Sequence, residues 1–194
     1  MQIVKKIKKI SLSKSFFPFW RYQFLVKSLK KNIKPYKINR EILGVGDVVF
    51  ALCYSPEEEK FYLIKQFRPF YYVRKEKYKF ELVGGLVDKG ESTTQALKRE
   101  IKEEIGVKTL KLKKLTKYCP VPGYSDEVVN VYYAEVEKIK SSHLYNKFEN
   151  EEIKVSKLSL NQLKKINSSE QIQNVLTKVS IYEYFNKIKK NLRY

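Results

Sequence analysis

The spacing of apolar and polar residues divides the chain into strand-like and helix-like segments. Two runs rich in Val, Phe, Tyr and Leu, Asp47–Tyr54 and Phe61–Phe67, flank a polar Ser-Pro-Glu-Glu-Glu-Lys stretch and predict a pair of strands joined by a turn. Further strands are predicted at residues 110–119, 128–136 and 152–158, with a short helix near residues 161–166. These runs predict a sheet at the centre of the fold.

A helix after residue 92 has well-defined ends. Ser92, Thr93 and Thr94 offer hydroxyls for the N-cap, Gln95 follows Ser92 by three residues as in a capping box, and Gly106 is placed to end the helix. Apolar residues repeat every four positions and predict a buried stripe made of Leu97, Ile101 and Ile105.

A final helix is predicted from about Ser168 to Lys190, because apolar residues recur there at helical spacing. The stripe expected to pack on the sheet consists of Ile172, Val175, Leu176, Val179, Tyr182 and Ile188. A sheet with helices on both faces would bury the stripes of both helices, which predicts an α/β fold.

Three carboxylates stand at positions i, i+3 and i+4 of the first helix and therefore share a face: Glu100, Glu103 and Glu104. Such close like charges repel each other unless a cation sits among them, and Mg²⁺ with oxygen ligands is a common solution. The preceding residues 81–90 predict a strand that enters a glycine-rich loop, where Gly84 and Gly85 allow approaches that a Cβ would block. Strand, loop and helix would bring backbone oxygens and carboxylates together.

Residues 85–107 match the Nudix box at every specified position. The pattern is Gly, five residues, Glu, seven residues, Arg-Glu-aliphatic-x-Glu-Glu-x-Gly-aliphatic, met here by Gly85, Glu91, Arg99, Glu100, Ile101, Glu103, Glu104, Gly106 and Val107. The chain thus resembles the Nudix hydrolases, which implies an α/β/α sandwich with a mixed β-sheet and metal-dependent cleavage of a nucleoside diphosphate linked to another moiety. The alternative, a solvated helix with Glu–Lys pairs, does not account for the glycine-rich entry.

The resemblance assigns roles to residues of the motif. Mg²⁺, with Mn²⁺ as the alternative, would be held by Glu100, Glu103, Glu104 and the Gly84 carbonyl. Glu103 is also counted among the catalytic residues. The structural members of the motif are Gly85, Glu91, Arg99 and Gly106, and Glu91 and Arg99 are expected to pair and hold the loop against the helix.

The segment before the motif indicates a subfamily. Gln66-Phe-Arg-Pro69, together with Glu81-Leu82, resembles the ADP-ribose and UDP-sugar diphosphatase branch, in which the Arg contacts a substrate phosphate. Here that residue is Arg68, whose planar fork suits phosphate oxygens. The alternative is a strand-end arginine that is exposed or paired with a nearby acid.

A turn-rich loop after the motif, Pro120–Glu127, resembles the loop that supplies the catalytic base in that branch. By this match Glu127 removes a proton from the attacking water, and Asp126 is the second choice. The alternative is a loop whose acids only keep it soluble. The expected reaction is ADP-ribose to AMP and ribose 5-phosphate, or a UDP-sugar to UMP and a sugar 1-phosphate.

Residues 1–44 are interpreted as an N-terminal extension to a Nudix domain spanning residues 45–194. Residues 1–40 hold twelve Lys or Arg and no acid, with an aromatic run from Phe16 to Phe24. In the branch this region often forms strands that build a homodimer and an adenine-binding platform, so Trp20 is the candidate for stacking on a base. Core packing is the competing fate for these aromatic side chains.

The net charge of +19 and the pI near 9.7 require a second hypothesis. Alternatives are an RNA 5′-end pyrophosphohydrolase and a non-catalytic Nudix-like module that binds nucleic acid. Both are less favoured than a small nucleotide-sugar substrate, because the glutamate set and the flanking segments fit that branch. No apolar run approaches the length of a membrane helix, and Cys53 and Cys119 are expected to be buried free thiols, so a cytoplasmic protein is expected.

Overall fold

The computed structural model describes residues 4–13, 15–146 and 151–189. The chain forms two compact units. The first comprises Met1–Gly46 and Cys119–Val128, and the second comprises Asp47–Tyr118 and Val129–Tyr194.

The first unit is built on a three-stranded antiparallel sheet. Its strands are β1 (Val4–Ser13), β2 (Phe19–Val26) and β3 (Tyr36–Leu43), in the order β1-β2-β3. The 119–128 loop belongs to this unit because the Leu43 N–H donates to the Tyr124 carbonyl (N–O distance 2.8 Å) and the Asp126 N–H donates to the Leu43 carbonyl (3.2 Å). The loop that carries Asp126 and Glu127 is thereby fixed to the end of β3.

Seven strands form the mixed sheet of the second unit: β4 (Asp47–Ser55), β5 (Lys60–Lys65), β6 (Val83–Leu86), β7 (Thr109–Tyr118), β8 (Val128–Val136), β9 (His143–Asn146) and β10 (Glu151–Leu158). Their order is β7-β8-β4-β5-β10-β9, and β6 pairs with β4 outside this path. The strands predicted at 47–54, 61–67, 110–119, 128–136 and 152–158 are confirmed to within two residues at each end.

The helices of the described residues are α1 (Pro69–Val73), α2 (Thr93–Ile105), α3 (Leu160–Asn167) and α4 (Val175–Tyr184), and a π-helical turn, Phe185–Lys189, follows α4. Side chains of β5 alternate between the two faces of the sheet. Tyr62 and Ile64 lie in one buried cluster with Ile101 of α2, while the ring of Phe61 meets that of Tyr184 in α4 at a centroid distance of 5.2 Å. The sheet therefore lies between α2 and α4, as an α/β/α sandwich requires.

The prediction of one long final helix from Ser168 to Lys190 is wrong. Asn174 caps α4 by accepting the Thr177 N–H at its side-chain oxygen (3.4 Å), so the helix begins only at Val175. The predicted stripe is wrong in part: Ile172 is buried as predicted but precedes the helix. Val175 and Tyr182 are exposed, and the buried residues of α4 are instead Thr177, Ser180, Ile181 and Tyr184. Apolar residues occur on several sides of this helix, so periodicity could not select its buried face. The predicted stripe residue Ile188 lies in the π-helical turn.

The two cysteines differ in their surroundings. Cys53 is fully buried in β4, where burial and the charge of Glu104 raise the pKa of its thiol. Cys119 is exposed, contrary to the expectation that both would be buried, because it follows β7 directly and lies outside the sheet. Among the described residues no helix is long and apolar enough to cross a membrane.

Candidate active site

The strand before α2 needs glycine at two successive positions. In β6, Gly84 pairs with Phe50 of β4 and has φ +152°, and a Cβ there would lie 2.0 Å from the Val49 carbonyl oxygen. A Cβ on Gly85 would lie 2.4 Å from the Oε1 atom of Glu100. The backbone of β6 can therefore approach both β4 and α2 only because these side chains are absent.

The helix ends place its glutamates against this strand. The capping box of Ser92 and Gln95 is confirmed, and Gly106 ends α2 in the left-handed conformation with φ +70°. With the helix fixed in this way, Glu100 and Glu104 lie beside the buried apolar stripe and are themselves buried.

Both buried glutamates touch the glycine strand. Glu104 accepts the Gly84 N–H at its Oε2 atom (2.8 Å), and the Glu100 carboxylate lies over Gly85. Glu103 is the exposed member of the three, with 42% of its side chain accessible. Only two of the three carboxylates are thus enclosed by the fold, because the third points away from the sheet by its position on the helix.

Arg99 connects the carboxylates of the motif. Its Nη1 atom donates to Glu100 Oε1 (2.8 Å) and Glu103 Oε2 (3.2 Å). Its Nη2 atom donates to Glu91 Oε2 (3.1 Å) and to the Leu86 carbonyl (3.0 Å). The hydrogen bond from Arg99 holds the pKa of the Glu91 carboxyl below its ordinary value. One guanidinium therefore ties the loop after β6 to the helix and supplies the positive charge that the clustered glutamates require.

The donor chemistry of this cluster fits a hard divalent cation. Carboxylate and backbone carbonyl oxygens are the ligands that Mg²⁺ takes in proteins. Within residues 4–13, 15–146 and 151–189, no three His, Cys, Asp or Glu side chains stand together as a ready metal-binding group. In this arrangement the carboxylates bond instead to Arg99 and to the Gly84 N–H.

Arg68 lies at the N-terminal end of α1 and has a buried acidic partner. Its Nε atom donates to Glu81 Oε2 (2.9 Å), and Glu81 is only 6% exposed. The pair borders a cavity of about 400 Å³, which is also lined by Phe70, Gln173 and Asn174. This pairing agrees with the alternative left open for Arg68, an arginine paired with a nearby acid. The sequence did not identify Glu81 as that acid, although an acid within an otherwise apolar strand-like run was a signal. Because Glu81 precedes Gly84 by three residues, the pair lies on the chain segment that enters the motif.

The first unit holds the remaining candidates. Asp126 Oδ1 accepts the N–H groups of Val45 (2.7 Å) and Gly46 (3.0 Å), so this carboxylate stabilises the turn after β3. The Glu127 N–H donates to Ser125 Oγ, and burial raises the pKa of the Glu127 carboxyl. Trp20 lies in β2, with the Lys9 ammonium 3.7 Å from its ring centroid.

Comparison with known proteins agrees with this geometry. A family model described as NUDIX domain matches residues 45–178. The ADP-ribose pyrophosphatase of Escherichia coli (strain K12) is 27% identical over 161 residues, which is 82% of this chain and 77% of that protein. The ADP-ribose pyrophosphatase of Bacillus subtilis (strain 168) is 35% identical over 96 residues, which is 50% of this chain and 49% of that protein. A solved structure, "Crystal structure of ADP compounds hydrolase", aligns over 98% of this chain and 97% of that chain with a TM-score of 0.74 and 17% identity, a likeness of fold.

The family match covers most of the chain and includes the whole glutamate-bearing strand, loop and helix. The chain therefore belongs to the Nudix family, and its class is that of a Nudix hydrolase. Within that class it is similar to the ADP-ribose pyrophosphatases.

Proposed function

We propose that this Nudix hydrolase cleaves the pyrophosphate bond of a nucleoside diphosphate linked to a sugar, in a metal-dependent reaction. With ADP-ribose the products are AMP and ribose 5-phosphate; with a UDP-sugar they are UMP and a sugar 1-phosphate. The observation that carries the proposal is the pair of buried carboxylates, Glu100 and Glu104, held against Gly84 and Gly85. Similarity to two proteins named ADP-ribose pyrophosphatase supports ADP-ribose as the first choice.

In this proposal Glu100, Glu103, Glu104 and the Gly84 carbonyl hold Mg²⁺ or Mn²⁺. The bound cation supplies charge neutralisation at the pyrophosphate and acidifies a coordinated water. Arg99 and the Gly84 N–H orient the glutamates in advance, as partners behind metal ligands commonly do. Glu103 is the most accessible of the three carboxylates and serves as an additional catalytic carboxylate in the proposal.

Two residues are assigned to the substrate. Arg68 binds a phosphate oxygen with its guanidinium, which Glu81 orients through the Nε atom. Trp20 stacks on the base, and the support for this role is a large aromatic ring that is only half-buried on strand β2.

Glu127 is the proposed general base. Burial raises the pKa of its carboxyl, which brings it closer to the range in which a carboxylate accepts a proton effectively. Asp126 is the weaker candidate, because its Oδ1 atom already accepts two backbone N–H groups.

The test is phosphate release, measured after coupling to a phosphatase, from ADP-ribose, UDP-glucose and a 5′-triphosphorylated RNA with Mg²⁺ or Mn²⁺. We expect the highest kcat/KM for ADP-ribose, and loss of turnover on treatment with EDTA. Glu104→Gln is expected to lower kcat by about 10²-fold or more while the fold persists, since the amide oxygen can still accept the Gly84 N–H. The exposed Glu170→Gln is the matched control. Full activity of Glu104→Gln would contradict the metal assignment, and activity on RNA alone would favour the 5′-end pyrophosphohydrolase.

A homodimer and a cytoplasmic location belong to the same proposal. Strand β1 is at the edge of its three-stranded sheet and exposes Ile7, Ile10 and Leu12, which supports association through this strand. Two free thiols are consistent with a reducing compartment. Light scattering after size-exclusion chromatography will report the mass, and a monomer would remove the dimer from the proposal.

A further inference from the structure

The segment between β5 and β6 exposes large apolar side chains. Five are prominent: Phe67 (54% exposed), Phe70 (59%), Tyr72 (75%), Val73 (74%) and Tyr78 (42%). We refer to residues 67–79 as the aromatic–basic segment. A contiguous exposed apolar patch of this kind marks an interaction site more often than isolated surface residues do.

Positive charges are interleaved with these rings. Arg74, Lys75 and Lys77 are exposed and make no ion pair within 4 Å in the part of the chain that the structure describes. The one acid of the segment, Glu76, lies 3.8 Å from the Lys79 ammonium. The segment therefore presents several cations without neutralising partners to a ligand that carries negative charge.

The rings and the cations meet in a groove. It has a volume of about 580 Å³ and is lined by Tyr71, Tyr72, Lys75, Glu76, Lys77 and Tyr78. The rings of Tyr71 and Tyr78 are 6.4 Å apart at their centroids, and Phe67 meets Tyr78 edge to face at 6.0 Å. This volume falls in the range of small-ligand sites, and its walls offer flat π-faces.

One side of the groove is formed by an unusual turn. After α1, the Lys75 N–H donates to the Tyr72 carbonyl (3.1 Å) and the Glu76 N–H donates to the Tyr71 carbonyl (2.8 Å), with Lys75 in the left-handed conformation at φ +56°. Glycine is the usual residue at this position of a helix end, because a side chain is strained there. The chain instead has a lysine that lines the groove.

We propose that the aromatic–basic segment binds single-stranded nucleic acid, with bases stacked on Tyr72 and Tyr78 and phosphates near Lys75 and Lys77. Stacking on aromatic rings beside a basic track is how such strands are bound without sequence preference. A lipid surface would also meet exposed rings and cations, but rings that alternate with ammonium groups match the alternating bases and phosphates of a single strand more closely. The proposal goes beyond the hydrolysis of a small nucleotide and does not rest on it.

The test is fluorescence anisotropy with a short labelled oligouridine that has a 5′-hydroxyl and so contains no pyrophosphate to cleave. Tyr72→Ala is expected to weaken binding about 5-fold or more, the usual effect of removing one stacking ring. Tyr182→Ala on α4 is the matched control, since that ring is also exposed (63%). Lys77→Gln is expected to lower the magnitude of the slope of log binding constant against log salt concentration by about 0.7, the effect of losing one phosphate contact. Lys140→Gln, which changes the net charge equally, is the control and should leave this slope unchanged.

If the segment variants and their controls lost oligouridine affinity equally, the proposal would be overturned, because binding would then reflect only the net charge of +19. Binding to phosphatidylserine vesicles that depends on Tyr72, with unchanged binding of oligouridine, would overturn it in favour of a membrane surface.

The Lys75→Gly variant distinguishes a direct loss of binding from a loss caused by unfolding. Glycine relieves the left-handed strain, so the thermal midpoint should rise, while loss of the ammonium should weaken oligouridine binding. Opposite changes in the two measurements cannot come from partial unfolding. Unchanged affinity in this better-folded variant would count against the proposal.

Discussion

A single added methyl group at Gly85, in Gly85→Ala, should lower the activity of the site strongly while the protein still folds. A Cβ at this position would lie 2.4 Å from Glu100 Oε1 and 2.7 Å from its Cδ atom, whereas real Cβ contacts below 3.0 Å are essentially never seen. The carboxylate must therefore retreat by about 0.6 Å or more, which lengthens its 2.8 Å hydrogen bond to Arg99 toward about 3.4 Å and weakens it. Misplacement on this scale costs roughly 10²-fold in rate.

The expected loss of stability is moderate, because the displaced group is the end of a side chain. Overpacking of this kind costs about 1–3 kcal/mol. Gly84→Ala differs, since its Cβ would meet the Val49 carbonyl oxygen at 2.0 Å and its φ of +152° disfavours a side chain, so this variant should not fold. Gly123→Ala is the matched control, because a Cβ there would have no heavy atom within 4 Å.

The assay is kcat/KM for ADP-ribose with Mg²⁺, beside urea unfolding of the same preparations. We expect Gly85→Ala to unfold in one cooperative transition, with an unfolding free energy about 1–3 kcal/mol below that of Gly123→Ala, and to have about 10²-fold lower activity. Equal activity of these two variants would refute the reasoning that the Glu100 carboxylate must stay where the glycine allows it. If Gly85→Ala failed to fold as Gly84→Ala does, the distinction between side-chain and backbone clashes would be refuted.

Three further predictions concern other residues. Burial raises the pKa of the Glu127 carboxyl, so kcat should fall on the acid side of the pH profile at a pH above the ordinary glutamate pKa, and Glu127→Gln should be inactive. Ionisation of this carboxyl costs folding stability as pH rises through the raised pKa, so Glu127→Gln should be at least as stable as the parent protein at neutral pH, and any gain in unfolding free energy should vanish in acid. Ser92→Ala should lose about 1 kcal/mol in urea unfolding without changing KM, since it removes the cap on the Gln95 N–H. Arg68→Ala should raise KM and lower the unfolding free energy by about 1–3 kcal/mol, because it removes the guanidinium from buried Glu81, whereas Arg68→Lys should recover part of both.

Helix limits, strand positions and the shared helix face of the glutamates could be predicted from the sequence, because they depend on residues close to one another in the chain. The limits of α2 depend on Ser92, Gln95 and Gly106, whose capping roles need only neighbouring residues. Strand positions follow from short runs with strong preferences, and five of them are confirmed to within two residues. The Nudix spacing brings its glutamates to one helix face, since helical geometry fixes which positions share a side.

The buried face of α4 and the contacts between residues far apart in the chain were decided only by the tertiary structure. The buried side of α4 could not be predicted, because its apolar residues occur on several faces and only packing on the sheet selects among them. Partnerships between distant residues, such as Arg68 with Glu81 and Asp126 with the turn at Val45, depend on how strands are placed in space. The enclosure of Glu100 was likewise decided by the strand beneath it, since exposure depends on what packs against a helix face and not on the residues of that helix alone.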